Sequence, residues 1–203
     1  GIRGSGAGRR RRNMENIQAT QLCREFIRRQ VQPGDLCIDA TAGNGSDTLL
    51  LSLLAGETGR VLAFDIQERA LARTAERLEE AGPAGRSPVQ LILDSHEHMA
   101  NYAEPGTVSC IVFNFGYLPG GDHGVATRPE TSAAAVKAAL SLLKKGGLLS
   151  LCIYSGGDTG FQERERLLEL LQELDSRKYL VICCEYYNRE NFPPLPVQVA
   201  RLA

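Results

Sequence analysis

Residues 36–48 read LCIDATAGNGSDT. An apolar run ends in an acid, Asp39. A turn with glycines at 43 and 45 follows, and from Thr48 onward the pattern becomes helical. A strand that passes through a glycine-bearing turn into a helix lets a ligand approach the backbone closely and aims free N–H groups at it. A unit of this kind belongs to a repeating strand–helix architecture, and the rest of the chain supplies the repeats.

Strand-like runs are LCIDA (36–40), VLAFDI (61–66), VQLIL (89–93), VSCIVFN (108–114), LLSLCIY (148–154), YLVICCEYY (179–187) and PVQVARL (196–202). Helical spacing covers residues 17–30, Thr48–Ala55, Glu68–Ala81, Glu130–Leu143 and Glu163–Leu174, with a short helix within Asp94–Tyr102. The alternation predicts an α/β fold of right-handed βαβ units with a mostly parallel sheet and helices on both faces. Only Asn188–Leu195 separates the last two strands, so they should form an antiparallel hairpin. Seven strands closed by such a hairpin are the Rossmann-like arrangement of class I methyltransferases.

The 203 residues suit one domain. Residues 1–13, GIRGSGAGRRRRN, are expected to be a disordered basic extension or a cloning remnant, with a single domain over 14–203. A basic arm for nucleic acid is the rival reading. Without the arm's five arginines the body has 18 basic and 24 acidic residues, a net charge of −6. Any RNA contact must therefore use a local patch rather than a broadly basic surface. No apolar run approaches a membrane span, and no secretory pattern is visible. The six cysteines show no CxxC pair and no zinc spacing. They read as buried reduced thiols, which points to the cytoplasm and to no structural metal.

Two nucleoside cofactors compete for the first loop. The dinucleotide fingerprint GxGxxG is met by Gly43 and Gly45 but has Thr48 in its third place. An S-adenosyl-L-methionine loop wants an acid at the strand end and a looser GxG, and Asp39 with Gly43-Asn44-Gly45 fits that better, although Thr41 replaces an earlier glycine. A carboxylate beside the loop suits a ligand carrying an ammonium and a sulfonium and suits a pyrophosphate badly. Asp65 ends the second strand 20 residues past Gly45, where an acid can take both ribose hydroxyls; capping the helix after Gln67 is the alternative. Asp94-Ser95-His96 ends the third strand, with Asp94 placed either to accept from an adenine amino group or to cap a helix. The expected cofactor set is Asp39, Thr41, Gly43, Asn44, Gly45, Asp47, Thr48, Asp65, Ile66, Gln67, Asp94, Ser95, His96 and Asn114.

The fourth strand ends in Asn114 and runs into FGYLP (115–119). This is similar to the Asn/Asp-Pro-Pro-Tyr stretch of methyltransferases that act on amino groups. There an amide oxygen accepts from the target amine and the aromatic ring stacks on the base. Asn114 and Tyr117 match its first and fourth positions, and Phe115 and Gly116 replace the prolines. A plain turn is the bland reading.

Taken together, Asp39–Thr48, Asp65, Asn114–Pro119, Gly121-Asp122-His123 and Arg128-Pro129-Glu130-Thr131 resemble the rRNA methylase family of small bacterial class I methyltransferases. The resemblance spans roughly Asn16 to Leu202. It departs from the family's usual pattern at Ser46, at Tyr154–Asp158 and at Asn188-Arg189. It implies an S-adenosyl-L-methionine-dependent enzyme whose substrate is tRNA. The reaction it implies is methylation of the 5-aminomethyl group of wobble uridine, often 2-thiolated, in the anticodon stem-loop.

On that reading Asn114 orients the amine, Tyr117 packs against the base, and Asp122 and His123 are candidates to accept a proton or hold the nucleotide. Phe115, Gly116, Leu118, Arg128 and Tyr154 would contact substrate, and the Gly156–Gly160 loop would border the pocket. His96 and His98 read as helix-surface residues. Arg128, Lys137, Arg164 and Arg189 are candidate RNA cations. Asn188–Pro194 either touches the pocket or is a plain hairpin loop. The sequence leaves a homodimer open. The rivals are an NAD(P)-dependent oxidoreductase, a methyltransferase for an rRNA base or a small amine, and a non-catalytic cofactor-binding module.

Overall fold

The computed structural model describes residues 18–115, 128–155, 160–190 and 192–203. Seven strands form one sheet: β1 (Leu36–Asp39), β2 (Arg60–Asp65), β3 (Val89–Leu93), β4 (Val108–Phe115), β5 (Leu143–Ile153), β6 (Tyr179–Cys183) and β7 (Leu195–Arg201). Their spatial order is β3-β2-β1-β4-β5-β7-β6. β1 to β5 pair in parallel, and β7 runs antiparallel to both β5 and β6. The order reverses between β1 and β4, which opens a crevice at the strands' C-terminal ends, the place where such sheets bind ligands.

Among the described residues five helices cover the sheet: α1 (Ala19–Gln30), α2 (Ser46–Ala55), α3 (Glu68–Ala81), α4 (Pro129–Leu142) and α5 (Gly160–Gln172). A short 3-10 helix covers His96–Asn101. Period-two alternation along β4 sorts its side chains. Cys110 and Val112 pack with Ile27 of α1 and Leu51 of α2. Ile111, Phe113 and Phe115 face the larger core built on α4 and α5. Asn114 thus falls on the α1/α2 side. In α1 the buried residues Ala19, Cys23 and Ile27 recur every fourth position, one stripe against the sheet. Buried Ala70, Thr74 and Leu78 do the same in α3, whose remaining surface is charged.

Two strands differ from the sequence reading. β5 starts at Leu143, five residues before the apolar run, because Leu143 pairs with Val108 and a register shift absorbs Lys144–Gly147. β6 stops at Cys183. Cys184 N–H still donates to Pro196 O at 2.9 Å, but residues 184–187 then leave the sheet and lengthen the hairpin loop. As the edge strand, β6 leaves Cys183 exposed rather than buried, while Cys23, Cys37, Cys110 and Cys152 are buried thiols. Among the described residues no helix is long and apolar enough to cross a membrane.

Candidate functional site

The β1–α2 loop is fixed from below. Asp39 is fully buried; its Oδ2 accepts from the Thr48 hydroxyl at 2.7 Å and its Oδ1 from Thr41 N–H at 3.1 Å. Burial, followed by the charge of Asp47, pushes the Asp39 carboxyl up to about 7. Thr48 stands where a dinucleotide loop has glycine, and its hydroxyl ties the helix start to the strand end. Thr41 stands at another glycine place, and its Oγ1 accepts from Asn114 N–H at 2.8 Å, which stitches the loop to the end of β4.

The two glycines serve different ends. Gly45 has φ +82, and a Cβ there would sit 2.8 Å from Thr74 Cα, so α3 packs directly on it. Gly43 has φ +55, but within 4 Å its Cβ would meet nothing except Thr41 O, at 3.7 Å. The space over its Cα is open to a ligand. Below it, Thr74 Oγ1 donates to Gly43 O at 3.2 Å and Arg77 Nε donates to Asn44 O at 2.7 Å.

Asp65 accepts from Gly43 N–H at 3.1 Å through Oδ2 and from Gln67 N–H at 3.0 Å through Oδ1. Each oxygen keeps a second lone pair, enough for two ribose hydroxyls. At the ends of β2 and β3, Ile66 and Leu93 stay 54% and 52% exposed, apolar surface suited to a purine face. The residues present therefore fit an adenosyl cofactor: open space over Gly43, spare acceptors on Asp65 and an apolar strip beside them.

Asp94 is tied to its own segment. Its Oδ1 lies 2.7 Å from His98 Nδ1 and accepts from Ser95 N–H at 2.7 Å, and its Oδ2 accepts from the Tyr102 hydroxyl at 2.8 Å. The bonds from His98 and Tyr102 hold its carboxyl below the ordinary range, and Asp94 in turn raises His98. The helix cap is Ser95, whose side chain accepts from Glu97 N–H at 3.5 Å. His98 is exposed as expected, but His96 is not a surface residue. Its ring is buried against Phe113 and Phe115, with Nδ1 3.1 Å from Ala40 O. A carbonyl only accepts, so Nδ1 carries the proton, and burial lowers the ring's pKa and keeps it neutral.

At the end of β4, Asn114 Nδ2 donates to Asp47 Oδ2 at 3.0 Å, and Arg24 Nε of α1 holds Asp47 Oδ1 at 3.0 Å. A carboxylate can only accept, so Asp47 orients the Asn114 amide and turns Oδ1 away from itself. Sequence reasoning placed Asp47 with the cofactor; in the structure it grips Arg24 and Asn114. Arg24 was missed because it lies 23 residues upstream in a helix whose pattern speaks only of burial.

Phe115 requires a correction. It is fully buried and stacked on Phe113, centroids 4.7 Å apart, so its ring cannot receive a base. Its carbonyl accepts from Tyr154 N–H at 2.8 Å, which brings Tyr154 beside the end of β4. The Tyr154 hydroxyl is half-buried, and burial and the Cys152 thiol push its pKa up. Arg128 is exposed and precedes α4, with Pro129 as the first helical residue. Gly116, Tyr117, Leu118, Asp122 and His123 lie outside the described residues.

Comparison with known proteins agrees with this fold. Residues 61–200 match the family model described as "Putative rRNA methylase". The chain is 36% identical over 189 residues to the "tRNA (mnm(5)s(2)U34)-methyltransferase, chloroplastic" of Arabidopsis thaliana, a match that spans 90% of this chain and 68% of that protein. Among solved structures, a "putative rRNA-methylase" from Clostridium thermocellum has TM-score 0.86 and 41% identity, over 92% of this chain and 98% of the other. A "putative methyltransferase" from Streptococcus mutans in complex with SAH has TM-score 0.81 and 35% identity, over 92% and 99%.

Proposed function

This chain belongs to the rRNA methylase family, and from that premise we propose that it methylates the 5-aminomethyl group of the wobble uridine in tRNA, with or without 2-thiolation. S-adenosyl-L-methionine is the cofactor, and when bound it supplies an electrophilic methyl group on a sulfonium. The observation that carries the substrate reading is the Asn114 amide. Asp47 takes its N–H, and Oδ1 is left to accept from an amine at the end of β4.

Transfer to nitrogen needs a neutral amine whose lone pair is aimed along the breaking bond. Positioning can contribute about 7–11 kcal/mol in favourable systems. Asn114 Oδ1 accepts one amine hydrogen and thereby directs the lone pair. Arg24 and Asp47 keep the amide from rotating. Thr41, through its hydroxyl on Asn114 N–H, keeps the end of β4 against the cofactor loop. Gly43, Asp65 and Ile66 would hold the nucleoside. Tyr117 would pack on the base, and Asp122 and His123 would receive the proton that leaves the amine. The relative from Arabidopsis thaliana, named for the same modification, supports this choice of substrate. We place the protein in the cytoplasm, where six cysteines without CxxC or zinc spacing would stay reduced.

The test is nucleoside mass spectrometry of tRNA from cells lacking and re-expressing the protein. The 5-aminomethyl nucleoside should accumulate in the deletion, and its methylated product should return on re-expression. An unchanged tRNA profile with a lost rRNA methyl group would move the reading to an rRNA base.

A further inference from the structure

A cleft of about 440 Å³ lies between the β6–β7 hairpin loop and α5, and its lining includes Tyr187, Phe192, Arg164, Arg189, Glu185 and Glu190. Two of its rings stand out from the fold. Tyr187 is 98% exposed and Phe192 60% exposed, the latter at φ +47, a conformation that non-glycine residues seldom adopt. Phe161 of α5 meets Phe192 edge-on at 5.0 Å, and the Arg164 guanidinium sits 5.9 Å from the Phe192 ring centroid. Large rings kept in water on a loop contribute little to the core, so their placement calls for an occupant.

We propose that this cleft is a stacking shelf for an unpaired nucleobase of the RNA loop that carries the target uridine. The inference rests on the RNA-methylation reading and adds to it where the neighbouring nucleotide sits.

Continuity with the site comes first. Arg164 Nη1 donates to Ser155 Oγ at 3.1 Å, and Ser155 follows Tyr154, which is bonded to Phe115 at the end of β4. Tyr186, on the cleft wall, belongs with Tyr154 to one small apolar cluster around Cys23 and Cys152. The shelf therefore begins two residues beyond the end of β5, the strand that borders Asn114. Chemistry comes second. The cleft's two guanidinium groups are matched by two carboxylates, so it is not a polyphosphate site. Flat aromatic faces with mixed donors and acceptors suit a base, whose π-face stacks and whose edge hydrogen-bonds. Third, the body's net negative charge requires a local contact of this kind if RNA is to be held.

The experiment measures binding of a tRNA anticodon stem-loop with an unmethylated 5-aminomethyluridine, with S-adenosylhomocysteine present, alongside the same stem closed as a continuous duplex. Stacking is worth about 1–3 kcal/mol per base, roughly 5- to 150-fold in affinity. Tyr187→Ala with Phe192→Ala should weaken loop binding by at least about 10-fold, leave duplex binding and cofactor affinity unchanged, and raise KM for RNA far more than it lowers kcat. Exposure of both rings means the variant should keep its melting temperature.

Equal loop binding by the variant overturns the shelf, as does a variant that changes only self-association, which would make the patch an interface between copies. A wild type that methylates tRNA while the variant binds equally well refutes the shelf alone. Ring-dependent loop binding without any methyl incorporation refutes the methylation reading alone.

Discussion

On the β1–β3 side of the sheet edge the acids are already held in place. Asp39 and Asp65 each accept two hydrogen bonds from their own chain and Asp94 accepts three. On the β5–β7 side Tyr187, Phe192 and Phe161 stand in solvent. The first region is set in advance for a small ligand of fixed shape, because each bond removes freedom that binding would otherwise have to remove. The second offers surface without a fixed partner, which suits a polymer that brings its own conformation. Asn114 lies between them and shares both characters: one end of its amide is locked and the other is open.

The largest effects should fall at that junction. Asn114→Ala should lower kcat about 100-fold or more while cofactor affinity stays within about 3-fold, since a misplaced amine costs rate rather than cofactor binding. Asp47→Asn keeps the side chain's size but can donate as well as accept, so the Asn114 amide loses its fixed sense; kcat should fall about 10-fold. Steady-state kinetics with calorimetric cofactor binding separates these outcomes, and full turnover by Asn114→Ala would rule out the clamp.

Next come the glycines, which divide stability from binding within the rigid region. Gly45→Val combines a left-handed φ with a clash on the α3 backbone, so it should lose about 2–4 kcal/mol and melt roughly 5–15 °C lower. Gly43→Ala should cost about 1 kcal/mol of strain and show its main loss in cofactor titration. Equal melting losses at the two positions would erase the distinction.

A smaller effect is set by pH. The Asp39 carboxyl is raised from 3.8 to about 7, so between those values the folded chain holds more protons than the unfolded one. The apo protein should therefore lose stability as pH rises through that window. Asp39→Asn should flatten the slope in pH-dependent chemical denaturation.

The smallest is local. Asp94 raises the exposed His98 above its ordinary 6.5, so this pair's contribution is present below pH 6.5 and is lost as pH rises through the raised value. NMR titration should place His98 above 6.5, and Asp94→Asn should lower it.

Much of the fold was legible because strand and helix periods are local. Alternation of the apolar runs located all seven strands, and the short connection before β7 marked the hairpin. The misjudged ends, at Leu143 and Cys183, are places where pairing partners rather than composition decide how far a strand extends. The site was legible as far as backbone chemistry goes: Gly43, Gly45 and Asp65 announce a nucleoside loop. Phe115 could have been read better, since period two from Ile111 and Phe113 puts it on the buried face opposite Asn114.

What the sequence alone determined was the succession of elements and the arrival of an amide at the end of the fourth strand. Only the tertiary structure decided which way that amide turns, because Asp47 of α2 holds it and Arg24 of α1 holds Asp47. The tertiary structure likewise gathered Phe161, Arg164, Tyr187 and Phe192 beside Tyr154. Periodicity is a property of neighbours along the chain, whereas these groupings depend on how the sheet's strand order folds distant segments onto one edge.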